Sequence, residues 1–210
     1  MKALLFDFDG TLLNTNTLII ETFRHVFETH APGQYTDEHY LSFIGPSLLE
    51  TFTAHMPGRA EEMVAYYREW NAIHHDELVE EYPFVTETLR ELHERGMRLA
   101  IVTTKQRATL ERGLALMGIR ELFEVVVTLD DVTHVKPHPE PIEKALALLN
   151  VAKEDVIMIG DNSHDIHAGQ NAGVKTAGVA WSIKGEAYIR SLQPDYVLQS
   201  MRDVLQFVKG

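Results

Sequence analysis

Short runs of aliphatic and β-branched residues recur along most of this chain, at 3–6, 99–102, 125–128, 156–159, 177–181 and 196–198. A strand that is apolar at consecutive positions, rather than at alternate ones, has to be covered on both faces. The cover is present in the sequence. Segments 85–95, 108–117 and 165–172 have helical spacing and stop at Gly96, Gly118 and Gly173. Strand followed by helix, repeated, predicts an α/β fold with a doubly wound, Rossmann-like parallel sheet.

One segment departs from this rhythm. Between 15 and 80 there is no convincing strand, only helix-like patterning broken at Pro32-Gly33, Gly45-Pro46 and Pro57-Gly58. Its composition shifts too: it has no lysine, its arginines are Arg24, Arg59 and Arg68, and it holds six of the eleven histidines. The expectation is an α-helical cap at 15–80, inserted after the first strand into a core formed by 1–14 and 81–210. Extra helices of one domain are the alternative.

Composition narrows the function classes. The 210 residues are 45% hydrophobic, enough for a sizeable core, and carry a net charge of −12. A chain this acidic makes a poor binder of nucleic acid or of an anionic membrane, which reward clustered cations. With no cysteine, disulfides and thiolate chemistry are excluded. No apolar run approaches the roughly 20 residues that span a bilayer, and Asp7 interrupts the opening stretch too early for a signal peptide. The expectation is a cytoplasmic globular protein.

Polar groups gather where the strands end. Asp7-Phe8-Asp9-Gly10-Thr11 follows the first strand, and open parallel sheets bind ligands beyond the carboxyl ends of their strands. Period-two alternation puts Asp7 and Asp9 on one side of the chain. Carboxylates that close repel unless a cation sits between them or one holds a proton. Gly10 permits a tight turn whose N–H groups suit an anion. Thr103-Thr104-Lys105 follows the second run, Lys136-Pro137 lies in the loop after the third, and Gly160-Asp161-Asn162-Ser163-His164-Asp165 follows the fourth. Singly, each has a plain reading as a turn, a helix cap or a solvated lysine. Together they suit a divalent metal with oxygen ligands, an oxygen-rich anion and a nucleophile.

The order and spacing of Asp7-Phe8-Asp9-Gly10-Thr11, Thr103, Lys136-Pro137 and Gly160-Asp161-x-x-x-Asp165 resemble the four motifs of the haloacid dehalogenase superfamily, with the helical insert where that superfamily's first-type cap lies. The resemblance implies an aspartyl-phosphate enzyme. Asp7 is then the nucleophile and Asp9 the general acid and base. Mg2+ is bound by Asp7, the Asp9 carbonyl and Asp161, with Asp165 as a further ligand or behind them. Thr103, Thr11 and the N–H groups of Gly10 and Thr104 hold the phosphoryl oxygens, and Lys136 counters their charge. Asp9 and Gly10-Thr11 match the phosphotransfer version of the first motif rather than the dehalogenase version.

Within the superfamily, strings such as Phe43-Ile44-Gly45-Pro46-Ser47-Leu48 and His74-His75-Asp76-Glu77-Leu78 look most like the inorganic pyrophosphatases of Gram-positive bacteria. Phosphoglycolate phosphatases are the nearest alternative, although they typically carry Asn at the position of Thr104. A pyrophosphate substrate needs a cationic leaving-group pocket, expected from Lys105 and from His74 or His75. A phospho-acceptor switch is a rival class, but it leaves the cap unexplained; a degenerate interaction module is another, but no motif position is lost. Other features have plainer readings. His74 and His75 diverge by roughly 100° on a helix. His164 and His167 suit a solvated face, His134 and His138 are separated by proline, 77–81 reads as an acidic hinge, and Trp181 packs the sheet edge.

Overall fold

In the computed structural model, which describes residues 1–208, six strands form one parallel sheet. The first strand is Ala3–Phe6 (β1). Leu13–Asn14 (β2) and Glu80–Glu81 (β3) form a separate two-stranded piece. Then come Arg98–Val102 (β4), Val125–Val127 (β5), Val156–Gly160 (β6), Lys175–Val179 (β7) and Tyr196–Leu198 (β8). The sheet order is β5-β4-β1-β6-β7-β8, so the chain leaves β1 and builds outward on both sides of it. Phe6 pairs with Ile101 on one side and Ile159 on the other. The residues that follow β1, β4 and β6 therefore emerge side by side at the switch point of the sheet.

The chain divides into two units, Met1–Asn14 with Glu81–Gly210, and Thr15–Glu80. In the first, both faces of the sheet are covered, as its unbroken apolar strands require. Ala3, Leu5, Ala100, Val102, Val156 and Met158 line one face against Ile142, Ala145 and Leu149 of helix Glu140–Leu149 and Ala168 of helix Ser163–Ala172. Those helices are α7 and α8. The others of this unit are Val85–Glu94 (α5), Arg107–Met117 (α6) and Glu186–Ser191 (α9).

The second unit contains helices Asn16–His30 (α1), Asp37–Ser42 (α2), Leu48–His55 (α3) and Ala60–His74 (α4). Its core is aromatic. The rings of Phe23 and Tyr67 lie 4.8 Å apart, Phe23 and Phe43 5.2 Å, and Phe27 and Phe52 5.7 Å, all within the range where aromatic pairs add to simple burial. Ser47 caps α3 by accepting from the Glu50 N–H, while the Glu50 carboxylate accepts from the Ser47 N–H at 2.9 Å.

Candidate active site

Asp7 is the first residue past β1, and its N–H donates to the Ile159 carbonyl at 2.9 Å, which continues the sheet pairing by one step. This fixes the carboxylate at the sheet edge, where it is almost wholly buried. Lys136 is buried as well and reaches in from the loop after β5. Its Nζ donates to Asp7 Oδ1 at 2.9 Å, to Asp165 Oδ1 at 2.5 Å and to the Val102 carbonyl at 2.9 Å. All three ammonium protons are used, so the lysine is fixed in place. Burial works against its charge, but Asp165 and Asp7 outweigh that and hold its pKa above the ordinary lysine range.

The turn from β6 into α8 supplies the other two buried carboxylates. Asn162 caps α8, its side chain accepting from the His164 N–H at 2.9 Å. Asp165 Oδ2 accepts from the N–H groups of Asp161 and Asn162, both at 3.2 Å. Asp161 Oδ1 accepts from Asn162 Nδ2 at 3.2 Å. Gly160 makes this turn possible, because a Cβ there would lie 2.2 Å from the Asp165 Cβ. Gly10 has a similar constraint from the other side. It adopts φ +76°, and a Cβ on it would come within 2.5 Å of Asp161 Oδ2.

Carboxylate oxygens of Asp7, Asp161 and Asp165 lie within 4.8 Å of one another. Burial, with Asp165 and Asp9 nearby, pushes the Asp7 carboxyl up to about 7 despite the attraction of Lys136. Burial and the charges of Asp165 and Asp7 likewise raise Asp161 well above the usual carboxylate range. One ammonium group does not balance three buried carboxylates. A hard cation with oxygen ligands fits the donor set, and Asp7, Asp161 and Asp165 are the residues that could hold it.

Asp9 is partly buried and is held by a different lysine. Lys105 Nζ donates to its two oxygens at 2.8 and 3.1 Å. Lys105 follows β4, where the buried Thr103 bonds through its N–H to the Val127 carbonyl at 3.0 Å and through Oγ1 accepts from the Lys105 N–H at 3.2 Å. Gly10 differs from expectation: its N–H donates to the Leu13 carbonyl at 2.8 Å, so its contribution here is backbone conformation rather than a free donor. Thr11 is fully buried, and its hydroxyl has no hydrogen-bond partner among the described residues. Thr104, between Thr103 and Lys105, is half-buried. Trp181, expected only to pack, donates its indole N–H to the Thr11 carbonyl at 3.3 Å.

His74 and His75 belong to the helical unit. The His74 ring stacks on Trp70 at 3.8 Å and its Nδ1 lies 2.9 Å from the Trp70 carbonyl. His75 is buried, with Nδ1 2.8 Å from Asp76 Oδ1. Sequence reasoning missed three contributors. The Val102 carbonyl on Lys136 leaves no trace in a sequence. Asn162 was visible only as part of a polar string. Asn171 Nδ2 donates to the Pro137 carbonyl at 2.9 Å, tying α8 to the lysine loop.

Carboxylates at a parallel sheet's switch point, paired with lysines and joined to a buried acidic cluster, make a site suited to an anion and a hard cation. The family model for haloacid dehalogenase-like hydrolases matches residues 4–179, and the chain belongs to that family. It is 55% identical over 210 residues to a protein named Pyrophosphatase PpaX from Bacillus cereus (strain G9842), covering 100% of this chain and 97% of that one. A protein of the same name from Halalkalibacterium halodurans is 56% identical over 208 residues, covering 99% and 97%. Among solved structures, a candidate phosphoglycolate phosphatase from Lactobacillus plantarum superposes with a TM-score of 0.89 at 27% identity, covering 98% of each chain. No helix of the described residues is long and apolar enough to cross a membrane.

Proposed function

We propose that this chain is a Mg2+-dependent phosphohydrolase that splits inorganic pyrophosphate into two phosphates through an aspartyl-phosphate on Asp7. The observation that carries the chemistry is the buried Lys136–Asp7 pair at 2.9 Å beside Asp161 and Asp165. The choice of substrate is supported by the near-complete likeness to relatives named pyrophosphatase.

Asp7 attacks one phosphorus in line through a carboxylate oxygen. The bond to the bridging oxygen breaks, and the departing phosphate takes a proton from Asp9. Water then attacks the aspartyl-phosphate, Asp9 accepts its proton, and the Asp7 carboxylate is released with the second phosphate. Asp7, the Asp9 carbonyl and Asp161, with Asp165 beside them, would hold Mg2+, which when bound would supply the positive charge that keeps Asp7 ionised next to an anionic substrate. Lys136 counters charge on the transferring group from a fixed position. Thr103, Thr104 and the unpartnered hydroxyl of Thr11 donate to the phosphoryl oxygens, and Gly10 shapes the loop around them.

Lys105 holds Asp9 with its carboxyl facing the leaving group and directs its remaining N–H to the departing phosphate. His74 and His75 are the residues of the helical cap, 15–80, assigned to that phosphate. Absence of cysteine suits a reducing cytoplasm, and the likeness to relatives named pyrophosphatase supports a small phosphorylated substrate.

The likeness to the Lactobacillus plantarum structure favours a second reading, hydrolysis of phosphoglycolate or another small phosphomonoester. A phosphate-release screen in Mg2+ over pyrophosphate, phosphoglycolate and sugar phosphates separates the two. The expected result is a kcat/KM for pyrophosphate at least tenfold above the rest. Preference for phosphoglycolate supports the second reading, and release from none of them overturns both.

A further inference from the structure

The loop between β5 and α7 carries His134 and His138 on either side of Lys136 and Pro137; the i, i+4 spacing would suit a helix face, but the segment containing Pro137 is not helical. The loop is instead pinned at several points. Lys136 is anchored by its three bonds in the core, and the Pro137 carbonyl by Asn171. The Glu140 carboxylate accepts from the Thr133 N–H at 2.7 Å and the His134 N–H at 2.9 Å. As a result the two imidazoles stack with centroids 4.5 Å apart and an interplanar angle of 29°. His134 Nδ1 lies 2.8 Å from Glu140 Oε2, and the Glu140 N–H donates to His138 Nδ1 at 3.2 Å. One ligand atom from each of His134, His138 and Glu140 lies within 4.8 Å of the other two.

We propose that His134, His138 and Glu140 form a second metal site, for a first-row transition-metal dication of the zinc type. Two imidazoles and a carboxylate are a donor set that zinc, copper and nickel prefer, whereas magnesium and calcium prefer oxygen alone. Bonds of about 2.0–2.2 Å around a tetrahedral ion place its ligand atoms roughly 3.3–3.6 Å apart. Both histidines are exposed, so small ring rotations close the remaining gap. The carboxylate is held in position for the ion by N–H donation from Thr133 and His134. The cation takes the place of the proton between His134 Nδ1 and Glu140 Oε2. That proton moves to the other ring nitrogen or to solvent, and water fills the open coordination positions. This site is separate from the acidic cluster at Asp7, and the proposal holds whichever substrate the enzyme takes.

The test is calorimetric titration of Zn2+ into the full-length protein in buffer containing saturating Mg2+, with ring nitrogen shifts followed by NMR. One Zn2+ per chain is expected, with the largest shifts at His134 and His138. The double variant His134→Ala/His138→Ala should weaken binding at least tenfold while melting like wild type in metal-free buffer. Asp161→Asn, which disrupts the acidic cluster, should bind Zn2+ as wild type does. Wild-type affinity in the double variant, loss of binding in Asp161→Asn, or no Zn2+ uptake by wild type would each overturn the site.

Discussion

At the scale of single residues, the two lysines have different duties. Lys136 has every proton committed and no freedom to follow a substrate. Lys105 grips the oxygens of Asp9, so removing it frees the proposed acid and also strips charge from the leaving-group side. Lys105→Ala should therefore lower kcat for pyrophosphate about tenfold or more and raise its KM, with a smaller effect on acetyl phosphate, whose leaving group needs less help. Lys105→Arg should restore part of the loss. Equal effects on both substrates, measured by phosphate release, would remove Lys105 from the leaving-group role. Asp9→Asn should cost about 10²–10⁴-fold in turnover, the usual worth of a positioned proton relay. Asp7 and Lys136 could be singled out in the sequence because parallel strands deliver their following residues to one edge. The Lys105–Asp9 pair could not, since its partners are 96 positions apart and meet only once β1 and β4 lie side by side.

At the scale of elements, the strands were largely readable, and the differences have local causes. The strand expected at 177–181 runs instead over Lys175–Val179. Lys175 and Thr176 look like loop residues, yet they pair with Ile157 and Met158. Ala180 and Trp181 are apolar but already leave the strand, and Trp181 turns its indole to Thr11. Thr128 drops out of β5 because its N–H and hydroxyl both bond to Asp131, which starts a 3₁₀ turn. The turn from β6 into α8 is the element on which the acidic cluster depends. Gly160→Ala would drive a methyl group into Asp165, so activity should fall by at least tenfold while the far-ultraviolet circular dichroism stays native. Unchanged activity would show that Asp165 does not need its position. In the helical unit, Phe27 is fully buried among Tyr35, Phe43 and Phe52. Phe27→Ala should cost about 3–5 kcal/mol in denaturation, the usual price of deleting a core aromatic ring.

At the scale of the whole molecule, the acidic cluster makes stability depend on pH in an unusual direction. Asp7 has its folded pKa raised to about 7, chiefly by burial, and Asp161 is raised too. Between about pH 4 and 7 the folded chain therefore binds more protons at these sites than the unfolded chain, and their contribution to stability falls as pH rises. Lys136 is raised above its ordinary value, so its contribution is constant there and is lost only at strongly alkaline pH. Glu140, lowered to about 2, acts with the opposite sign and only below its ordinary value of 4.5. Metal-free wild type should accordingly lose stability relative to Asp7→Asn from pH 4.5 to 7, and saturating Mg2+ should reverse that trend. A difference between the two that does not change with pH in denaturant titrations would contradict the repulsion in the cluster.

The most direct measurement is to find the phosphoryl group on the protein. Asp9→Asn, which keeps the nucleophile but lacks the base for the second step, is mixed with radiolabelled pyrophosphate and Mg2+, quenched in acid and digested. Label is expected on the peptide that contains Asp7, decaying slowly, and none is expected on Asp7→Asn treated alongside. Label on any other residue, or an Asp7→Asn enzyme that still turns over within tenfold of wild type, would contradict an aspartyl-phosphate at Asp7.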